Sequence, residues 1–422
     1  MRVTDRPLPV VTLDTVETIA AWPVRPVIAL YSTTFNDKWD DPTVLWDEAD
    51  SHWDDGWKDA TCAWTGMEID TGEPDDSMLF PASRCLVQLD NRDGEWSTLN
   101  ADGTHRYGPG SPLSVWAHNA TGDWWLFSGL VARYDQRADD TVEIEAFDCF
   151  SELAMPVGTF TPGTNGQKMG ARLSAVLAKS ARPTIPSSFA LGVASLTAQE
   201  TELTPLEEMQ MVVLSDGGIL FGDSDGTLRA YDRTWPSGRA DQTHVLVTSS
   251  NVCSAEAVVW DAVLSSNDDS LADRVVLENL ATPNELVAIA GAASGYVFAL
   301  SDQQWTTQTE GNILAQLYLD QMSPRQMSVE EFSLYLNDPQ QPNLWKAVDL
   351  RRVDHLRFLH DQKTAGGGEV RLDVTAVVDG IIHEVTPEGW GMWVSTSKVR
   401  SFTLPTLYDT GHLYDTGEEY GY

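Results

Sequence analysis

Five indoles and a crowd of carboxylates share one short stretch of this chain. Trp39, Trp46 and Trp53 recur at seven-residue intervals, Trp57 and Trp64 follow, and Asp40, Asp41, Asp47, Glu48, Asp50, Asp54, Asp55 and Asp59 fill the gaps. Carboxylates are rarely buried without a partner, and the neighbouring sequence offers only Lys38 and Lys58. Two readings are open. One is an exposed docking surface for another macromolecule, because Trp is enriched among binding hot spots. The other is a long hairpin whose indoles fold back on the protein's own sheet, because large apolar side chains usually end up buried. A coiled-coil heptad fails, since Pro42 and Gly56 interrupt it and three regular steps are too few.

Other residues invite catalytic or metal chemistry, and in each case the spacing argues against it. The acid pairs Asp54/Asp55 and Glu143/Glu145 have the residue types of a glycosidase acid and base. Adjacent or alternating acids on a strand are more often a solvated face. Asp223 and Asp225 could ligate calcium, but the twelve-position loop with its terminal bidentate Glu is missing, so Gly222–Gly226 reads as a tight turn. His355 and His360 are five apart, which does not place them on one helical face, and His383-Glu384 lacks a second His at metalloprotease spacing. Cys62, Cys85, Cys149 and Cys253 form no CxxC and read as reduced, structural thiols. The chain reads as a non-enzyme, with neither cofactor nor metal.

Charge narrows the partners. With 63 acids against 27 bases the net charge is -36, and residues 1–150 carry half of that excess. Nucleic-acid affinity comes mainly from Lys and Arg neutralising phosphates, so stable nucleic-acid binding is excluded. No apolar run approaches the ~20 residues that cross a bilayer, and MRVTDRPLPVV lacks a basic-then-apolar leader. Neither a membrane anchor nor a cleaved export signal is expected. At 422 residues the chain should form two to four domains.

The elements that would position these residues are mostly strands. Val27–Tyr31, Ser77–Leu89, Leu113–His118, Trp124–Tyr134 and Val142–Phe150 predict a β-domain over residues 1–155, with the Trp/Asp-rich excursion spanning 36–76. Residues 156–250 read as a small α/β insertion. Met169, Leu173, Val176 and Leu177 have helical spacing; Thr204, Pro205 and Glu207 spell a capped helix start that Gly217 and Gly218 stop; and a hairpin follows at Gly222–Gly226. Residues 251–403 form a second β-domain with a helix at 312–322 and a hairpin turned at Asp379-Gly380. Gly380-Ile381-Ile382 echoes Gly129-Leu130-Val131 in pattern, which suggests two related β-domains. Residues 404–422 repeat Leu-Tyr-Asp-Thr-Gly and read as an arm anchored by Tyr408 and Tyr414 on a partner.

Three stretches carry a resemblance. Leu86-Val87-Gln88-Leu89-Asp90-Asn91-Arg92-Asp93-Gly94-Glu95 followed by Gly108-Pro109-Gly110-Ser111-Pro112-Leu113, then Trp125–Val131, then Ile382–Trp390, resemble segments of minor tail proteins from long-tailed actinobacterial phages. The resemblance implies a mainly β tail-hub fold with α+β insertions: two tube-like β-barrel or sandwich domains plus smaller inserted domains, seated as a homotrimer at the tail tip. Its implied partners are itself, the distal tail ring, the tape-measure protein and other minor tail or fibre proteins. The implied place is the virion, with synthesis in the host cytoplasm. The implied role is to connect tube to tip and let DNA pass. A carbohydrate-binding protein or glycosidase at the host surface is the alternative.

Overall fold

A computed structural model describes residues 22–31, 57–61, 63–74, 79–99, 103, 105–197, 200–235, 244–247, 257–258, 261–265, 272–280, 287–292, 295–322, 328–338, 344–363 and 369–398. The chain opens with β1 (Arg25–Tyr31), β2 (Trp57–Asp59), β3 (Trp64–Asp70), β4 (Arg84–Asp90), β5 (Pro112–Asn119), β6 (Gly122–Gln136) and β7 (Thr141–Phe147). A middle segment holds helices Cys149–Leu153, Met169–Leu177 and Pro205–Asp216, with β8 (Ser187–Phe189), β9 (Ile219–Gly222) and β10 (Leu228–Tyr231). Next come β11 (His244–Val247), β12 (Ala257–Val258), β13 (Asp261–Ser265), β14 (Arg274–Asn279), β15 (Val287–Gly291), β16 (Val297–Gln303) and the Gln308–Met322 helix. The last strands are β17 (Ser328–Tyr335), β18 (His355–Lys363), β19 (Glu369–Thr386) and β20 (Gly389–Lys398).

Fourteen strands form one sheet, ordered β12-β11-β18-β19-β3-β4-β7-β6-β5-β1-β2, with β20, β17 and β13 branching from β19. The early and late β segments therefore join edge to edge, where β3 runs antiparallel to β19 through Asp70/Ile382, Ile69/His383, Glu68/Glu384 and Met67/Val385. Alternation explains the strands. In β7, Val142, Ile144 and Ala146 are buried while Glu143 and Glu145 sit on the other face. Side chains from both halves, among them Val87, Ile144, Phe332, Val385 and Trp390, merge into one apolar core.

The middle segment has a second core. Thr204 accepts from the Glu207 backbone while the Glu207 side chain reaches back to Thr204, Pro205 opens the helix, and Gly217 closes it at φ 76° in the left-handed region. Met209, Val212 and Val213 then face Leu173 and Val176 of the preceding helix, over the β8-β10-β9 sheet. Phe80, Val353 and Val377 of the β-body enter this same cluster. A third core places the Gln308–Met322 helix on the β15-β14-β16 sheet through Val275, Leu277, Leu314 and Tyr318.

Two expectations change. The hairpin at Asp379-Gly380 is instead the middle of the continuous 18-residue strand β19, with a register shift between Val378 and Gly380 against β20. A Cβ at Gly380 would meet the Gly72 carbonyl and the Ser395 hydroxyl at 2.8 Å each, so glycine is there for close approach of three chain segments and not for a turn. The helix expected at 312–322 begins at Gln308, because Thr307 accepts a hydrogen bond from the Glu310 backbone N–H.

Candidate functional site

Of the five indoles singled out by spacing, Trp57 and Trp64 fall within the described residues. Trp39, Trp46 and Trp53 lie outside the described residues, as do Asp54, Asp55, Tyr408 and Tyr414. Trp57 opens β2 and pairs with Tyr31 of β1, so the excursion leaves and re-enters the sheet on the same rung. Trp64 departs from the docking expectation: its side chain is 5% exposed in the main core, leaving no surface to offer a partner. The start of β3 forces this, since Trp64, Gly66 and Met67 pair with β4 at the centre of the sheet.

A different pair of indoles lies toward the surface, Trp116 half-buried and Trp125 exposed. Val27, Trp116 and Trp125 lie in register on β1, β5 and β6, and Trp125 is 42% exposed. The two rings sit 5.6 Å apart, tilted by 56°, a cross-strand aromatic pair of the kind that stabilises a sheet face. Two rungs on stand Arg25, His118 and Asp123, with His118 Nδ1 2.6 Å from Asp123 Oδ1. A signal for this pair was present in the sequence. Asn119 pairs with Gly122 around the two-residue Ala120-Thr121 turn, and counting back from that turn places Trp116 opposite Trp125.

Among the described carboxylates considered for acid-base work, Glu143 and Glu145 are engaged in ion pairs. Glu143 receives Arg133 Nη2 at 2.8 Å and Arg137, and Glu145 receives Arg84 Nε at 2.7 Å. Asp223 and Asp225 accept from the turn's own backbone N–H groups at Ser224 and Thr227, and both pair with Arg229. That is the chemistry of an Asx-type turn tied down by one arginine. His355 is buried against the Trp235 ring, and His383 is buried and accepts from Trp390 Nε1 at 3.2 Å. Burial alone drives the His383 imidazole down to about 4, so it is neutral at physiological pH. Cys85 and Cys149 are free and buried, which pushes both thiols up and makes them poor nucleophiles.

Charge converges where the early strands, the middle segment and the late strands meet. Asp148 caps the Cys149–Leu153 helix by accepting from Phe150 N–H, and its other oxygen accepts from Ser83 N–H at 2.9 Å. Arg352 lies over the Phe80 ring, 5.1 Å from its centroid, and Arg351 approaches Asp223 at 3.8 Å. Between them is a cavity of about 30 Å³ bordered by Thr71, Ser128, Asp148, Ser224, Arg352 and His383, among others. Small-molecule sites usually offer ~300 Å³ or more, so this space suits ordered water and not a substrate.

No sequence-family profile matches the chain, and no curated protein matches it. Solved structures do. A tail protein from Neisseria meningitidis superposes with a TM-score of 0.55 at 12% identity, covering 81% of this chain and 93% of that one. The 43 kDa tail protein of prophage MuSo2 from Shewanella oneidensis superposes with a TM-score of 0.54 at 14% identity, covering 89% of this chain and 99% of that one. The resemblance to tail proteins seen in the sequence is thus met at the level of fold, although the actinobacterial long-tailed phages are not the source of these two neighbours. Mainly β, built on one large and mostly antiparallel sheet with α+β insertions, the chain has the fold of phage tail proteins.

Proposed function

We propose that this chain is a structural tail-tip hub subunit of a phage virion, acting as a homotrimer that joins the distal tail ring to the tip and lets DNA pass during ejection. The observation that carries the reading is the match along 99% of the length of the Shewanella tail protein, across the β-body and its insertions. The net charge of -36 supports it independently, since a strongly anionic chain does not hold DNA. The distal tail ring, the tape-measure protein and other minor tail or fibre proteins are its partners, and the virion tail tip, reached after synthesis in the host cytoplasm, is its place. The protein works by holding neighbours and not by catalysis. Electron cryomicroscopy of particles tests this: threefold density for the chain at the tip is expected, and a free monomer or a sixfold ring without threefold contacts would overturn it.

The carbohydrate-binding alternative has one specific observation in its favour, the exposed Trp125 ring packed on half-buried Trp116, two rungs from the His118–Asp123 pair. A glycan array decides it, with binding lost on Trp125→Ala as the result that would revive it.

A further inference from the structure

The Gln308–Met322 helix packs on one face of the β15-β14-β16 sheet, against Val275 and Leu277 of β14 and Ala288 and Ala290 of β15. Side chains alternate along a strand, so the residues between these point away from the helix. Register sets them in rungs: Val276 with Ile289 and Ala299, Arg274 with Gly291 and Val297, and Glu278 with Val287. Ile289 is 49% exposed and Val297 54%, Ala299 is exposed too, and Val276 and Val287 are half-buried. Single apolar residues are ordinary on a surface, but aliphatics in register across three strands make a patch, and patches mark contacts.

The charges on this face select its occupant. With a net charge of -36, most of the chain's surface repels a second copy. Here the charged members are Arg274 and Glu278 of the central strand, which cancel. Arg274 Nε is buried with no hydrogen-bond partner, and among the described residues neither group has an ion pair. The two stand equally far on either side of Val276. A twofold axis through the Val276 rung, lying in the interface and across the strands, therefore sets Arg274 against Glu278 of the second copy and Glu278 against its Arg274. The same axis stacks Ile289 on Ile289 and Val287 over Gly291, which has no side chain to obstruct it. One contact thus gives both charges a partner, and it is self-complementary as a twofold interface must be.

Size sets its strength. Three strands ~4.8 Å apart, over about five residues of ~3.3 Å each, cover roughly 240 Å² of each copy, against ~800 Å² in a stable complex of standard size. The pairing is therefore weak and reversible between free copies, and gains strength where copies are already held close.

We propose that the open face of the β15-β14-β16 sheet is a twofold docking surface for a second copy of this chain, closed by reciprocal Arg274–Glu278 ion pairs around a centre of Val276, Ile289 and Ala299. It goes beyond the tail-hub reading and does not depend on it, since a twofold axis joins copies that belong to different trimers.

The test uses the full chain with Cys62 and Cys253 changed to Ser and one surface thiol added. Ile289→Cys puts it on the face, and Val263→Cys, at a 47% exposed position on β13, is the control. A short bismaleimide bridges thiols that face each other across sheets stacked ~10 Å apart. At high micromolar concentration Ile289→Cys should give about fivefold more linked dimer than Val263→Cys, the scale of ~1 kcal/mol. Adding Arg274→Glu or Glu278→Arg to the Ile289→Cys chain should each cut that yield about threefold or more, and the two together should restore most of it. Equal yields from the two thiols overturn the proposal, and this is the outcome if the face is kept for a different protein. A charge swap that recovers no more than either single change overturns it as well. The thiol comparison decides the matter even if a charge variant fails to fold.

Discussion

Glu68 and Glu384 stand directly opposite each other in the β3–β19 pairing, two carboxylates on one rung of the seam that joins the halves of the large sheet. Arg84 offers partial relief, with Nη1 3.7 Å from Glu68 Oε1, but its Nε is committed to Glu145 at 2.7 Å. Burial raises the Glu68 carboxyl above its usual range, Arg84 lowers it, and Asp70 and Glu384 raise it further. Since the folded state favours the protonated form, this stability is complete below the ordinary carboxyl range near 4.5 and is lost as pH rises through the raised value. Glu68→Gln should therefore stabilise the protein at pH 7 by ~0.5 kcal/mol, the scale of a like-charge cross-strand pair, and by less at pH 4. Urea denaturation at the two pH values checks this, and equal gains at both would assign the effect to something other than charge.

His383 has the opposite sign. Its folded value near 4 lies below the unfolded 6.5, so its contribution is present above pH 6.5 and disappears as pH falls toward 4. The shift corresponds to roughly 3 kcal/mol when fully lost. Thermal unfolding scanned from pH 7 to pH 4 should show a falling Tm, and His383→Gln, which can still accept from Trp390 Nε1, should flatten that fall. A slope unchanged in the variant would place the acid sensitivity elsewhere.

The legible parts of this fold were those written locally. Thr204, Pro205, Glu207 and Gly217 predict the Pro205–Asp216 helix because caps act within one turn, and the Gly222–Gly226 segment predicts the β9–β10 hairpin for the same reason. The seam was illegible because Ile69 and His383 are more than three hundred residues apart and neither strand encodes its neighbour. Asp379-Gly380 misled because Asp-Gly is a strong turn signal whose alternative, a glycine kept small for close approach, becomes visible only with Gly72 and Ser395 in place. Trp64 misled in the same way. Its spacing grouped it with the acidic indoles, but the alternation of β3 belongs to the core. The polar junction at Arg352 had no local signature at all, since the early strands, the middle segment and the late strands that border it come together only on folding.

Gly129 and Gly380 share a place in the sequence pattern, and both sit where another segment passes close. A Cβ at Gly129 would lie 2.2 Å from the Phe147 carbonyl, a backbone atom that cannot move without breaking the β6–β7 ladder. The contacts at Gly380 are longer, and one of them is the Ser395 hydroxyl. Gly129→Ala should therefore destabilise by about 3 kcal/mol or more, and Gly380→Ala by about 1–3 kcal/mol. Chemical denaturation of both variants gives the order, and a larger loss at Gly380 would show that the seam is the more tightly constrained site.

The tryptophans offer the sharpest contrast between fold and assembly. Trp64 is core, so Trp64→Ala should cost ~3–5 kcal/mol of subunit stability, as large-to-small changes do where the cavity cannot collapse. Trp46 and Trp53 carry the docking proposal for the acidic excursion, and a desolvated hot-spot indole is worth ~2 kcal/mol or more to an interface. Replacing both with Ala should leave the Tm of the isolated subunit within a few degrees of the parent. It should also lower the fraction of trimer seen by light scattering at micromolar concentration, and reduce incorporation into tails. The two outcomes separate cleanly. If Trp46→Ala/Trp53→Ala loses stability and assembles normally, those indoles fold back on their own sheet, as Trp64 does, and the excursion is not a contact between subunits.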